Sequence, residues 1–211
     1  MERSPAELEI ALAEAVHRAK NDLQAVTAML RLQANAVTDP AVRGALMDAE
    51  TRVNALTSLN ARLDASASGV ESTIDSVIFL EGLATDIRTM HFDEQRHIVL
   101  DVRAEPHRLA TLQCKPLGLI MNELVINALK YAFPNGRAGT ISVSFECRGN
   151  EGVMAVTDDG IGFNLAAPPQ GTGLGKRLVR ALTKQIGGVA EIEPGRNGGT
   201  TCTIRFPAGP S

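Results

Sequence analysis

The chain has 211 residues, 44% of them apolar but only 3% aromatic, enough for one large or two small domains with an aliphatic core. Its 21 basic and 24 acidic residues leave a net charge of −3. That balance lacks the basic footprint of a general nucleic-acid binder, and so few aromatics exclude a base-stacking module.

The opening Met1-Glu2-Arg3-Ser4-Pro5 has no apolar segment of the signal-peptide kind. Three cysteines with no CxxC pair exclude a disulfide framework and a zinc ribbon. The longest apolar run, Leu117 to Leu129, is broken by Asn122, Glu123 and Asn127 and is too short to span a bilayer. A reduced, soluble, cytoplasmic protein is expected.

In chain order, Leu8, Leu12, Ala15, Ala19, Leu23, Val26 and Leu30 recur at spacings of three and four, which predicts an amphipathic helix. Asp39-Pro40 supplies an N-cap and a first helical residue for a second helix. Its stripe runs through Val42, Leu46, Ala49, Val53, Leu56, Leu59 and Leu63. Two such helices joined by a short loop form a hairpin. Its uncovered apolar seam predicts a homodimer closing a four-helix bundle.

Ser66 to Gly69 reads as a linker. Beyond it, helices are predicted at Ser76 to Met90, Pro116 to Ala132 and Gly175 to Ile186, the second with proline at its start and the third stopped by Gly187-Gly188. Strands are predicted at His97 to Ala104, Thr140 to Cys147, Gly152 to Thr157, Val189 to Glu193 and Thr200 to Phe206. The fold class is therefore α+β: a helical hairpin over residues 1–68, then helices on a mixed sheet over residues 69–211.

Three segments carry chemistry. With Ala15 at zero, a helical step of about 100° puts Ala19 near 40° and His17 near 200°, facing solvent. Lys20, Asn21 and Gln24 share the His17 face, and a neutral imidazole is a competent nucleophile near neutral pH. Glu123, Asn127 and Lys130 fall at i, i+4 and i+7 of one helix. An acid, an amide and a lysine in line suit Mg²⁺ and phosphate, the plain alternative being a solvated polar face. Asp158-Asp159-Gly160-Ile161-Gly162 follows a strand, and Gly171-Thr172-Gly173-Leu174-Gly175 opens a helix whose free N–H groups can hold phosphate oxygens. Neither glycine run fits a Rossmann or P-loop spacing.

In this order, the segments resemble a sensor histidine kinase catalytic core of the HRxxN type, related to the HWE kinases. His17-Arg18-Ala19-Lys20-Asn21 is similar to the phosphoacceptor box, Asn122 to Pro134 to the N-box, Asp158 to Phe163 to the G1 box and Gly171 to Gly175 to the G2 box. The resemblance implies a dimerisation and histidine-phosphotransfer hairpin followed by a GHKL-type ATPase domain of the Bergerat fold.

It further implies that His17 is phosphorylated from ATP, with Asn21 and Arg18 beside it. Arg18 can pair with phosphate but cannot be a general base. Glu123 would sit at the position that activates water or the nucleophile in related ATPases, and Asn127 would ligate Mg²⁺ through the nucleotide. Asp158, with Gly160 and Gly162, would hold the adenine amine. Lys130 with Tyr131, and Gly171, Thr172, Gly173, Leu174 and Gly175, would hold the rest of the nucleotide. Asn164 to Gln170 would form a lid. Lys176 departs from the apolar residue common after the G2 box.

The implied partners are a response regulator receiver domain, a second copy and a separate sensor protein, with no nucleic acid and no membrane. Two other functions stay open: a phosphotransfer adaptor of the same architecture, and a GHKL serine kinase of the anti-sigma type. His91, His97 and His107 read as surface or loop residues. Cys114, Cys147 and Cys202 read as buried and inert.

Overall fold

A computed structural model describes residues 5–66, 73–93, 97–162, 173–195 and 198–209, with side chains from residue 14 in the first helix and to residue 63 in the second. The chain divides into two compact units, residues 1–58 and 59–211.

The first unit holds α1 (Pro5–Ala36) and most of α2 (Pro40–Ser66). Asp39 caps α2 as the sequence predicts, its carboxylate accepting the Ala41 N–H at 2.8 Å. The two helices are pinned by Thr27 to Asn54 at 3.3 Å and by an Arg31–Glu50 ion pair. Part of the apolar surface stays open to solvent: Val26 and Val42 of the predicted stripes are exposed, as are Val16, Met29, Leu32 and Met47 beside them.

The second unit begins inside α2. Leu59 and Leu63 are buried in the core of the C-terminal unit. Leu59 fills the space over Gly118, where a side chain would collide with it. Arg62 bonds Asp86 at 2.7 Å and the Gly82 carbonyl at 2.8 Å, its guanidinium lying where a Gly82 β-carbon would stand. Ser66 ends α2, and the rest of the expected linker lies outside the described residues.

The remaining elements are β1 (Thr73–Asp75), α3 (Ser76–His91), β2 (Ile98–Ala104), β3 (Arg108–Ala110), α4 (Thr111–Tyr131), β4 (Gly139–Arg148), β5 (Glu151–Asp158), α5 (Leu174–Gln185), β6 (Val189–Pro194) and β7 (Thr200–Pro207). Five strands form one mixed sheet in the order β2-β4-β5-β7-β6, parallel only at β2–β4. Ile141, Val143 and Phe145 of β4, Met154 and Val156 of β5, and Ile204 and Phe206 of β7 share one core with Phe79, Leu83 and Ile87 of α3 and Leu117, Ile120, Met121 and Val125 of α4.

Two features depart from the sequence expectation. First, α4 starts five residues before Pro116, which sits inside the helix rather than at its first position. As the sixth helical residue, Pro116 lies past the four N–H groups that have no intrahelical partner, so it removes one i→i−4 bond from a helix whose remaining ladder and burial hold it together. Second, β1 and β3 pair as a short antiparallel ribbon that no periodicity announced, three residues being too few to alternate.

Candidate functional site

The site grows from the ends of β5 and α4 and the start of α5. Asp158 pairs with Ile141 across the β4–β5 ladder, in the register that turns both side chains to the helix-covered face. It is 7% exposed. Its Oδ1 accepts the Gly160 N–H at 3.0 Å, and the Thr200 N–H and hydroxyl also donate to it. Burial pushes the Asp158 carboxyl above its ordinary range; the Gly160 and Thr200 donors pull it back, and the Asp159 charge adds to the rise.

Asp159 points elsewhere. Its Oδ1 accepts the Thr140 N–H at 2.8 Å, and its backbone carbonyl accepts from Arg137 at 2.8 Å. The acidic pair is thus split, one carboxylate turned inward and the other bracing the turn. Ile161 N–H donates to Ala132 O at 3.0 Å, joining this turn to the end of α4. A β-carbon on Gly160 would strike Ala132, so only glycine lets the two segments approach this closely. Gly162 follows with a positive φ of 70°.

Along α4 the predicted stripe runs from inside to outside. Glu123 is 5% exposed, Asn127 is half-buried, and Lys130 and Tyr131 are exposed. A solvated polar face is therefore ruled out at Glu123. Gly175 in the first turn of α5 lies against both Glu123 and Asn127. Its neighbour Gly173 caps α5 in the left-handed region at φ 66°, while Leu174, Lys176 and Arg177 are exposed. Gly171, Thr172 and the expected lid at Asn164 to Gln170 lie outside the described residues.

The structure thus brings Glu123, Asn127 and Gly175 together, and places Asp158, Gly160 and Gly162 on a turn tied to the end of α4. His17, Arg18 and Asn21 belong to the N-terminal unit and are described there. His17 is exposed, with Nδ1 3.3 Å from the Asn21 amide one turn on. Arg18 pairs with Glu14 at 3.7 Å, both exposed.

Sequence reading missed Asp159, Arg137 and Thr200. Asp159 sat inside the quoted motif, but nothing in the residue order says which of two adjacent acids turns inward. It also missed Asn122, which is buried with its Oδ1 lacking a hydrogen-bond partner among the described residues.

Among the histidines, His97 is exposed as expected, but His107 is 3% exposed. His107 packs on Phe145 and meets the Ala208 carbonyl at 3.4 Å, while its N–H bonds the buried Ser76 hydroxyl. The β1–β3 ribbon folds this loop inward. His91 is half-buried, and burial, then the Lys130 charge, hold its imidazole below the ordinary range. Cys114 and Cys202 are buried, with thiols pushed up to about 12 and about 11 by burial. Cys147 is not buried; its Sγ is partly open and 3.5 Å from the Gly149 carbonyl.

Among the described residues no three His, Cys, Asp or Glu side chains could hold a metal ion by themselves. A cation here would have to share its coordination with a bound ligand, which is how Mg²⁺ commonly binds beside phosphates. Asn127, half-buried beside the Glu123 carboxylate, offers an oxygen of the right kind.

Comparison with known proteins bears on the same residues. Residues 14–91 match a histidine kinase family, and residues 114–210 match the histidine kinase-, DNA gyrase B-, and HSP90-like ATPases. The chain belongs to the histidine kinases.

The chain is 30% identical, over 95% of its length, to blue-light-activated histidine kinase 2 of Erythrobacter litoralis, and 28% identical, over 92%, to sensor histidine kinase PdtaS of Mycobacterium tuberculosis. It spans 58% of the first of these proteins and 38% of the second.

The solved histidine kinase domain of the Erythrobacter litoralis EL346 blue-light activated kinase superposes with a TM-score of 0.66 at 26% identity, covering 96% of this chain and 93% of that one. Full-length ShkA, solved with AMPPNP, shares the fold at a TM-score of 0.57 and 20% identity, over 95% of this chain and 46% of that one. No helix among the described residues is long and apolar enough to cross a membrane.

Proposed function

We propose that this histidine kinase transfers the terminal phosphoryl group of ATP to His17 and passes it to an aspartate of a response regulator. The observation that carries the reading is the split acidic pair. Asp158 is a buried carboxylate at the end of β5 that accepts from Gly160 and Thr200, and Asp159 holds the turn that presents it. Burying a carboxylate is costly, and a further donor from a ligand would offset part of that cost. An exocyclic amine of adenine is such a donor.

In this reading Asp158 selects the base, while Lys130 and the N–H groups at the start of α5 hold phosphate oxygens. Asn127 would supply one oxygen to Mg²⁺, which neutralises charge on the phosphates when bound. Glu123 is buried beside Asn127, placed to accept a proton or orient the attacking group. Asn21 fixes one ring nitrogen of His17 and leaves the other to attack. Phosphoryl transfer depends mainly on positioning and charge neutralisation, which these residues provide. The exposed apolar stripe of the hairpin supports a homodimer, and its exposed His17 supports docking by a receiver domain.

Incubation with γ-labelled ATP and Mg²⁺, followed by acid, tests the reading. Acid-labile label is expected on the wild-type chain. It should be absent from His17→Ala and reduced by about 100-fold or more in Asn127→Ala, a loss typical of a transition-state contact. Label that survives acid, or that persists in His17→Ala, would sink the proposal and favour a serine kinase.

A further inference from the structure

The two described glycines at the start of α5 differ in what surrounds them. Gly173 has a positive φ of 66° and no described residue within 4 Å of where a β-carbon would stand, so its conformation is what requires glycine. Gly175 is the opposite case. It lies in the helix with no positive φ, a position where alanine is intrinsically favoured. A β-carbon there would strike Glu123 Oε1, and would lie 3.0 Å from Glu123 Cδ and 3.4 Å from Asn127 Nδ2.

From this contact we infer that Gly175 is a positioning residue for Glu123: its missing side chain is the slot in which the Glu123 carboxylate is held beside Asn127. The inference rests on the proposed role of Glu123 in phosphoryl transfer.

The geometry separates this role from phosphate binding. Free N–H groups of a first helical turn point along the helix axis, out of its N-terminus. The β-carbon of Gly175 points sideways, onto α4. A methyl group at 175 therefore leaves the N–H groups available and displaces the acid. The displaced atoms are the far end of a flexible side chain, so the fold can absorb the change by turning Glu123 out of its slot. The reaction then loses a carboxylate while nucleotide binding stays.

A double-mutant cycle on the full chain tests this, with Gly175→Ala, Glu123→Asp and the pair. The readouts are the initial rate of acid-labile labelling, the Kd for ATP with Mg²⁺, and the melting temperature. Gly175→Ala is expected to slow labelling by about 30-fold or more while the Kd moves by less than about 3-fold. In the Glu123→Asp background, whose shorter acid leaves room for the methyl, adding Gly175→Ala should change the rate by less than about 3-fold.

Equal losses in both backgrounds, a wild-type rate in Gly175→Ala, or a loss matched by a weakened Kd overturns the inference. If Glu123→Asp is too slow to measure, the carboxyl carbon resonance of Glu123 decides. Its displacement in Gly175→Ala supports the slot, and an unchanged resonance overturns it. A wild-type chain that takes no acid-labile label defeats the proposed activity itself and takes this inference with it, an outcome visible before any variant is made.

Discussion

Burial raises the Asp158 carboxyl above its ordinary range, and the Gly160 and Thr200 donors only partly offset that. A carboxyl with a higher pKa folded than unfolded binds more protons in the folded state. Its contribution to stability is fully present below the unfolded pKa and is lost as pH rises through the folded one. At neutral pH the charged Asp158 is therefore a net cost to the fold. Asp158→Asn should melt at or above the wild-type temperature at pH 7, with the gap closing as pH falls through the window above the ordinary carboxylate value. The same variant should lose ATP binding, measured by titration. A variant less stable at pH 7 and equally stable in acid would contradict the sign. The place of Asp158 at a strand end was legible in the sequence, but not which of the two adjacent acids turns inward. The burial of Asp158, and the turn of Asp159 toward Thr140, depend on cross-strand register.

At the scale of elements, the last two turns of α2 belong to the core of the ATPase unit. Leu59 is fully buried over Gly118, and Arg62 fills the notch at Gly82. Leu59→Ala should lower the stability of that unit by about 2–5 kcal/mol, read from its urea unfolding midpoint, as for other large-to-small core changes. A loss below about 0.5 kcal/mol, the scale of surface substitutions, would show that the contact is dispensable. The helical stripe through Leu59 and Leu63 was plain in the sequence, but periodicity does not say which neighbour a stripe will meet. The start of α4 was misplaced for a related reason. Proline is a strong marker of helix starts, yet Pro116 is simply accommodated inside one. The β1–β3 ribbon was invisible because it is fixed by tertiary contacts such as Ser76 N–H to His107 O at 2.9 Å. That ribbon is also what buried His107.

For the molecule as a whole, the succession of a helical hairpin and helices on a mixed sheet was readable from composition and period, while the second compact unit begins earlier, at Leu59 inside α2. Glycine is rare in the first 65 residues and dense after residue 149, and the hydrophobic period changes accordingly. The exposed Val26, Met29 and Leu32 on α1 leave more apolar surface than a lone hairpin would keep in water. Val26→Glu should therefore shift the chain from dimer to monomer in sedimentation equilibrium, while the circular dichroism of the sheet unit is unchanged. A wild-type chain that sediments as a monomer at tens of micromolar would refute the expected dimer.

The strand order has its own consequence for such an assembly. Among the described residues the outermost strands are β2 and β6, each with one edge that no further strand pairs. Side by side in a dimer, two such rims could zip together into an extended sheet. The rim strands discourage it. β6 carries Glu191, Glu193 and Pro194, and β2 carries Asp101 and Arg103, charges and a proline that poison strand-to-strand growth. Concentrating the chain should thus yield discrete particles joined through their helices rather than fibres.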